Sequence, residues 1–342
     1  QLSKNYRLLP ILAALFWFFH PVHTEVVANI KGRDEIMAFS LLLIALIFFI
    51  KYLSNQKAIY LFALVGFYFL SLLAKENAIT WLAIFPLVVY FFRNKYWKKS
   101  ISPLALLLLT AVVWFYIRYS VVGGGISNVA DNLMNDPFLE STIAEKYATI
   151  VFTLGKYLQL LFFPHPLTFD YYPKHIPIVG WANPWVLLSL LTYIALIVIS
   201  IRGIINKKLY AFAILLFGIT LSIASNLLFP IGAFMNERFI YVSSLGFTLI
   251  LSYYLLKFAP LFVENKSKTN SAIVISTIII LSLYSLKTIS RNPVWKNNFT
   301  LATNDAFISK NGAKSNVMAG GQLLEKAQEA TNFREKNELL ES

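Results

Sequence analysis

Between Phe18 and Phe39 the sequence reads FFHPVHTEVVANIKGRDEIMAF, seven ionisable side chains set between apolar runs. Glu25 and Asp34 are the residue type that takes a proton from a hydroxyl nucleophile. His20 and His23, three apart, can orient an anion or share a divalent cation, although Pro21 between them bends the backbone away from a regular helical face. Three later stretches carry the same kind of chemistry. LLAKENAIT holds Lys75 and Glu76, FPHPLTFDYYPKHIPIVGWANP holds Asp170 and Tyr171, and SNLLFPIGAFMNERFIYVSSLG holds Glu237, Arg238 and Tyr241. A lysine and an arginine in separate loops suit an anionic oxygen, and arginine presents a fork that matches phosphate. Each feature also has a plainer reading. Asp34 and Glu35 favour a helix N-terminus by charge alone, Lys75 can snorkel to headgroups, Glu237 and Arg238 can pair with each other, and Asp170 can cap a turn.

The elements that position these residues are apolar. Of 342 residues, 57% are hydrophobic and only 14% are charged, against roughly 25% charged in a soluble domain. Nine stretches approach the roughly 20 residues that cross a bilayer: 8–19, 36–53, 58–74, 78–92, 102–119, 185–201, 209–229, 240–258 and 271–286. The third and fourth are joined by KEN as a tight helical hairpin. Basic residues collect on one side of these spans (Lys4, Arg7, Lys51, Arg93, Lys98, Arg202, Lys207 and others), while Lys31, Arg33, Lys75, Arg118 and Arg238 lie on the other. The positive-inside rule then places the N-terminus in the cytoplasm and the C-terminus outside. The formal net charge of +13 is on this reading a topology signal and a contact with anionic membrane lipid, not a nucleic-acid footprint. There is no cysteine, which excludes disulfides and thiol catalysis. After the glycines Gly123 to Gly125, residues 145–163 show helical spacing with Lys146 and Lys156 intervening, as expected of an amphipathic helix at the interface.

From Ser290 the composition turns polar, with Trp295, Leu301, Ala306, Ala313 and Leu323 at the spacing of a helical repeat. The expected organisation is an all-α polytopic membrane domain over 1–289, nine spans and an interfacial helix, followed over 290–342 by the start of a repeat of the tetratricopeptide (TPR) kind.

With the loops in view, the chain resembles the transmembrane and tetratricopeptide-repeat O-mannosyltransferase family of the lipid-sugar-dependent (GT-C) superfamily. The resemblance rests on HPVHTEVVANIKGRDE, AKENAIT, KYLQLLFFPHPLTFDY, SNLLFPIGAFMNERFIYVSSLGF and RNPVWKNNFTL, in that order between about Leu8 and Leu324. It implies an inverting transfer of a sugar, mannose in that family, from a polyprenyl or dolichyl phosphate to a hydroxyl of a protein or glycan acceptor on the non-cytoplasmic face. It implies Lys75, Arg238, His23 and His20 at the donor phosphate, and Glu76, Asp170, Tyr171, Glu237 and Tyr241 toward sugar or acceptor. No metal site and no cofactor beyond the lipid-linked donor is assigned, a divalent cation at the histidines being a minor reading. Because the superfamily's acidic motif follows its first helix, the base is expected upstream of Gln1, with Glu25 and Asp34 as candidates here. The repeats imply a protein partner, and the lysine-, isoleucine- and asparagine-rich composition leans toward a bacterial inner membrane. Two other classes fit parts of the pattern: a transporter or flippase, since intramembrane charges also mark substrate paths, and a non-catalytic anchor for exported repeats.

Overall fold

A computed structural model describes residues 7–122, 136–172, 174–261 and 266–330; Lys4, the Gly123 to Gly125 run and residues 331–342 lie outside them. Helices make up the structure, and the described residues contain no strand. In chain order they are α1 (Leu9–Phe19), α2 (Thr24–Ala28), α3 (Arg33–Asn55), α4 (Ala58–Ala74), α5 (Trp81–Phe92), α6 (Trp97–Val122), α7 (Ile143–Phe162), α8 (Pro184–Ile205), α9 (Leu209–Ser222), α10 (Ser244–Phe258), α11 (Lys266–Arg291), α12 (Asn298–Ile308) and α13 (Ala313–Glu329).

Each of the nine apolar stretches contains an α-helix. Among the described residues four helices are long and apolar enough to cross a membrane, spanning Ile30–Asn55, Asn94–Val121, Pro184–Ile205 and Thr269–Lys296. A fifth crossing forms if α1 and the Pro21–Ala28 segment, bent by 52°, count as one span. The remaining four are shorter: Ala58–Ala74, Glu76–Phe92, Leu209–Ser225 and Ser244–Phe258. Apolar side chains such as Leu188, Leu191, Ile194 and Ile197 of α8 face outward. Backbone groups satisfied within helices and side chains this apolar belong in hydrocarbon, and the chain is an integral membrane protein.

The two larger of three apolar cores among the described residues hold most of the bundle; the third packs α1 against α10 and α11 through Leu12, Phe16, Leu256 and Ile273. Of the larger two, one joins α3, α4, α5, α6 and α9 around Phe49, Leu64, Tyr68, Phe85 and Leu107. The other joins α7 to the loops after α7 and α9 through Tyr157, Leu161, Leu167, Phe234 and Met235. Helix α7 is started by a capping box between Thr142 and Glu145, the reciprocal arrangement that satisfies two orphan N–H groups. It buries Ala148, Phe152, Leu154, Tyr157 and Leu161, which lie on more than one side of the helix. It approaches α8 at Gly155, where an added Cβ would stand 1.8 Å from Ser189 Oγ, so no larger residue fits there.

The structure adjusts several expectations. The stretch expected to run to Phe229 leaves the α-helix at Ser222 and passes through a 3-10 turn, Ile223–Ser225, to Asn226 at φ 61°. Its successor starts at Ser244 instead of 240 because Glu237–Ile240 form another 3-10 turn. The KEN connection is no simple hairpin: Lys75 is extended, and Glu76–Thr80 wind as 3-10 before α5, which packs on α6 and α9. At the C-terminal end α12 and α13 pack on each other, and the turn between them is pinned to the membrane domain. Asp305 of α12 accepts from both terminal nitrogens of Arg291, at 2.5 and 2.6 Å, and from the Phe169 N–H at 2.7 Å.

Candidate functional site

The turns between α2 and α3, α4 and α5, and α9 and α10 meet the C-terminal half of α6 around a cavity of about 600 Å³. Four cations line it, Lys31, Lys75, Arg118 and Arg238, with Glu76 as the one carboxylate among its lining residues. The rest of its wall includes Trp114, Phe115, Phe229, Pro230 and Phe239. A hollow with this mixture accepts an anionic group next to an apolar one.

Each inner cation is held from behind. Glu25, 1% exposed, accepts from the Arg238 backbone N–H and from its guanidinium Nη1, both at 3.0 Å. The remaining guanidinium N–H groups make no protein hydrogen bond among the described residues. Lys75 donates to Asp34 at 2.6 Å and stands 3.4 Å from Glu35. Burial alone lowers the Lys75 ammonium, but the charges of Glu35 and Asp34 outweigh it and hold it above its usual value. A cation fixed in this way is oriented in advance, so no reorganisation is needed when a negative charge arrives. Arg118 and Glu76 form a looser pair at 3.5 Å, both about half-exposed, and exposed Lys31 has no carboxylate within 4 Å among the described residues.

Segment 226–238 carries Arg238, and its shape comes from Asn226. The Asn226 amide donates to the carbonyls of Ala233 and Phe234 and accepts from the Ile231 N–H. Its left-handed backbone suits asparagine, and one buried side chain thereby closes the loop.

The other residues singled out in the sequence lie elsewhere. His20 and His23 do not line the cavity. His20 accepts the Val22 N–H on Nδ1 and donates from Nε2 to the Leu161 carbonyl at 3.0 Å, so both ring nitrogens are spent inside the protein. His23 bonds Ser244 at 2.9 Å and packs, with Tyr241, against Trp17. Among the described residues no three His, Asp or Glu side chains cluster as metal ligands. Glu237 is buried beside the second core, where the Thr168 N–H and the Tyr171 hydroxyl both donate to its Oε1, at 2.7 and 2.8 Å. Burial first, and then the charge of Glu25, push its carboxyl up to about 8. Asp170 is fully buried and reaches 145 positions along the chain to accept the Ser315 N–H at 2.7 Å. It thus caps α13, whose own N-cap residue, Gly312, has no side chain to do so. Lys31, Arg118 and Asn226 were not singled out from the sequence as site residues. The signal for the two cations was present, since both stand among the few basic residues on the non-cytoplasmic side of the charge pattern.

Comparison with known proteins adds a sequence likeness over most of the chain. It is 24% identical to Protein O-mannosyl-transferase TMTC3 of Mus musculus over 89% of its length and 36% of that relative's. It is 25% identical to Protein O-mannosyl-transferase TMTC4 of Homo sapiens, covering 95% of this chain and 48% of the relative. For Protein O-mannosyl-transferase F38B6.6 of Caenorhabditis elegans the figures are 28%, 90% and 42%. By sequence, this chain is a homologue of the protein O-mannosyl-transferases. It spans between a third and a half of the length of these relatives. No family model matches it, and no solved structure does. The family resemblance carried by the loop motifs thus agrees with similarity over some nine-tenths of the chain.

Proposed function

We propose that this chain is the membrane core of a glycosyltransferase that moves mannose from a polyprenyl or dolichyl phosphate to a hydroxyl of a protein or glycan acceptor. The observation that carries the reading is that Lys75 and Arg238, from loops far apart in sequence, line one cavity with Lys31 and Arg118. When the sugar leaves its lipid phosphate, negative charge grows on the phosphate oxygens. Cations preset beside that oxygen, in a site partly shielded from water, lower the barrier more than the same cations in solution. The apolar wall from Trp114 to Phe239 suits the first isoprene units of such a donor. Glu25 and Asp34 act in this reading as positioning residues for Arg238 and Lys75. Glu25 and Glu237 are buried outside the cavity lining and Asp34 is held by Lys75, which leaves Glu76 as the carboxylate that faces the cavity.

The remaining elements of the proposal follow the charge pattern. The shorter apolar helices complete nine crossings, the N-terminus faces the cytoplasm, and transfer with inversion takes place on the outer face. The α12–α13 pair begins a repeat array that presents the acceptor or a protein partner. The composition argues for a bacterial inner membrane, whereas the relatives quoted above are animal proteins.

The test uses membranes bearing the full-length protein, radiolabelled polyprenyl-phosphate mannose and a hydroxyl-bearing peptide. Transfer is expected, and Arg238→Ala or Lys75→Ala should lower it by about a hundredfold, the scale of losing one donor to a developing oxyanion. Unchanged transfer in both variants removes the phosphate assignment. No transfer by the wild type with mannose or any other lipid-linked sugar removes the enzymatic reading.

A further inference from the structure

The loop that carries Arg238 has a second hollow against it. Met235 lines a space of about 200 Å³, together with Tyr171 and His175. That space shares Phe152, Lys156 and Gln159 with a groove of about 670 Å³ between α7 and α8, within the range of sites that hold small molecules. On the α8 side the groove is lined by Trp185, Leu188 and Thr192, at helical spacing. Trp185 and Leu188 are 65% and 55% exposed on a helix long and apolar enough to cross the membrane, so the groove opens toward hydrocarbon.

At the junction of groove and inner space stands half-buried Lys156. Its ammonium donates to Gln159 Oε1 at 3.0 Å and has no carboxylate within 4 Å among the described residues. Burial pulls the ammonium below its usual value, and no neighbouring acid restores it. A cation held next to apolar surface without a counter-charge is costly, and such residues pair with an anion where one is at hand.

We propose that the α7–α8 groove binds an anionic membrane phospholipid, its phosphodiester on Lys156 and the Gln159 amide and one acyl chain along Phe152, Phe162 and Leu188. The inner space beside His175 then takes the polar headgroup. The hydrocarbon-facing mouth selects a lipid over a soluble anion, and the lone lysine selects negative charge. The site is separate from the cation cavity, whose lining residues it does not share, and it stands whether or not the chain transfers sugar.

The experiment places a photo-reactive amino acid at position 188 of the full chain, in vesicles of equimolar phosphatidylcholine and phosphatidylglycerol. Illumination followed by mass spectrometry reads which lipid is attached. Phosphatidylglycerol adducts should predominate, fall about fivefold in Lys156→Ala, in line with one surface cation's share of anionic-lipid binding, and persist in Lys156→Arg. Thr192→Trp, which fills the groove, should abolish them while the protein keeps its wild-type melting temperature. Equal labelling by both lipids, insensitive to Lys156→Ala, means ordinary boundary lipid and overturns the proposal. So does displacement of phosphatidylglycerol by added polyprenyl phosphate, which makes the groove a donor-lipid site.

Discussion

Replacing Glu25 by glutamine should uncouple Arg238 from the rest of the fold. The wild-type carboxylate is 1% exposed and receives two hydrogen bonds at 3.0 Å, one from the Arg238 backbone and one from its guanidinium. Hydrogen bonds to a charged partner contribute about 1.5–3 kcal/mol each. A glutamine oxygen can keep the backbone bond, but its amide then points a donor at a donor. Breaking a fully buried ion pair costs about 3–5 kcal/mol. The Arg238 side chain is 20% exposed and recovers part of that through water, so the expected loss is about 2 kcal/mol by comparison with those figures. Reversible unfolding in mixed micelles of Glu25→Gln, Arg238→Met and the double variant gives the coupling directly. We expect a coupling of about 1.5 kcal/mol, in the range of residues in contact. If the two changes simply add, with a coupling below about 0.5 kcal/mol, then Glu25 does not hold Arg238, and the positioning argument for the cavity fails with it.

Glu237 makes stability depend on pH. Its carboxyl is raised to about 8 in the fold against an ordinary 4.5, so the folded state holds a proton that the unfolded state releases. Stability should therefore be greatest at low pH, fall between about 4.5 and 8 with a slope approaching 1.4 kcal/mol per unit, and level off above. Glu237→Gln keeps the acceptor for Thr168 and Tyr171 and should lower the slope by up to about 1.4 kcal/mol per unit, one group's share, as urea titrations at several pH values would show; an unchanged slope means that Glu237 is not the group that titrates. Asp305→Ala strands Arg291, which is 4% exposed, and should cost about 3–5 kcal/mol, seen as faster limited proteolysis between α11 and α12. Asp170→Ala removes a cap from α13 and should cost about 1 kcal/mol. Gly312→Ala should also loosen the junction, because the added Cβ would stand 2.7 Å from Ser315 Oγ and 3.1 Å from Asp170 Oδ2; hydrogen exchange at the Ser315 amide reads both.

Much of the bundle was legible because hydrocarbon selects side chains one at a time, so apolar runs mark helices without knowledge of their neighbours. Helix ends were less legible. The exit of α9 at Ser222 depends on Asn226 finding the carbonyls of Ala233 and Phe234, and no hydropathy window contains that. Within the site, Lys75 and Arg238 stood out as cations near hydrocarbon, and they do line one cavity. The motif that holds His20, His23 and Glu25 splits, however. Successive residues of a turn point in different directions, so Glu25 meets Arg238 while the histidines meet Leu161 and Ser244. Asp170 was legible as a cap, but a reading along the chain looks for the capped turn nearby, and half of this one is on α13.

The sequence by itself determined the apolar helical architecture, the uneven spread of basic residues over its loops and the likeness to protein O-mannosyl-transferases. Those follow from residue type and local order, which a linear chain displays. Only the tertiary structure decided which carboxylate stands behind which cation, that Lys31 and Arg118 share the hollow with Lys75 and Arg238, and that Lys156 has no carboxylate beside it among the described residues. Hydrogen bonds form only at about 3 Å, and Coulomb energy grows as charges approach; such short separations between distant segments exist only once the helices have packed.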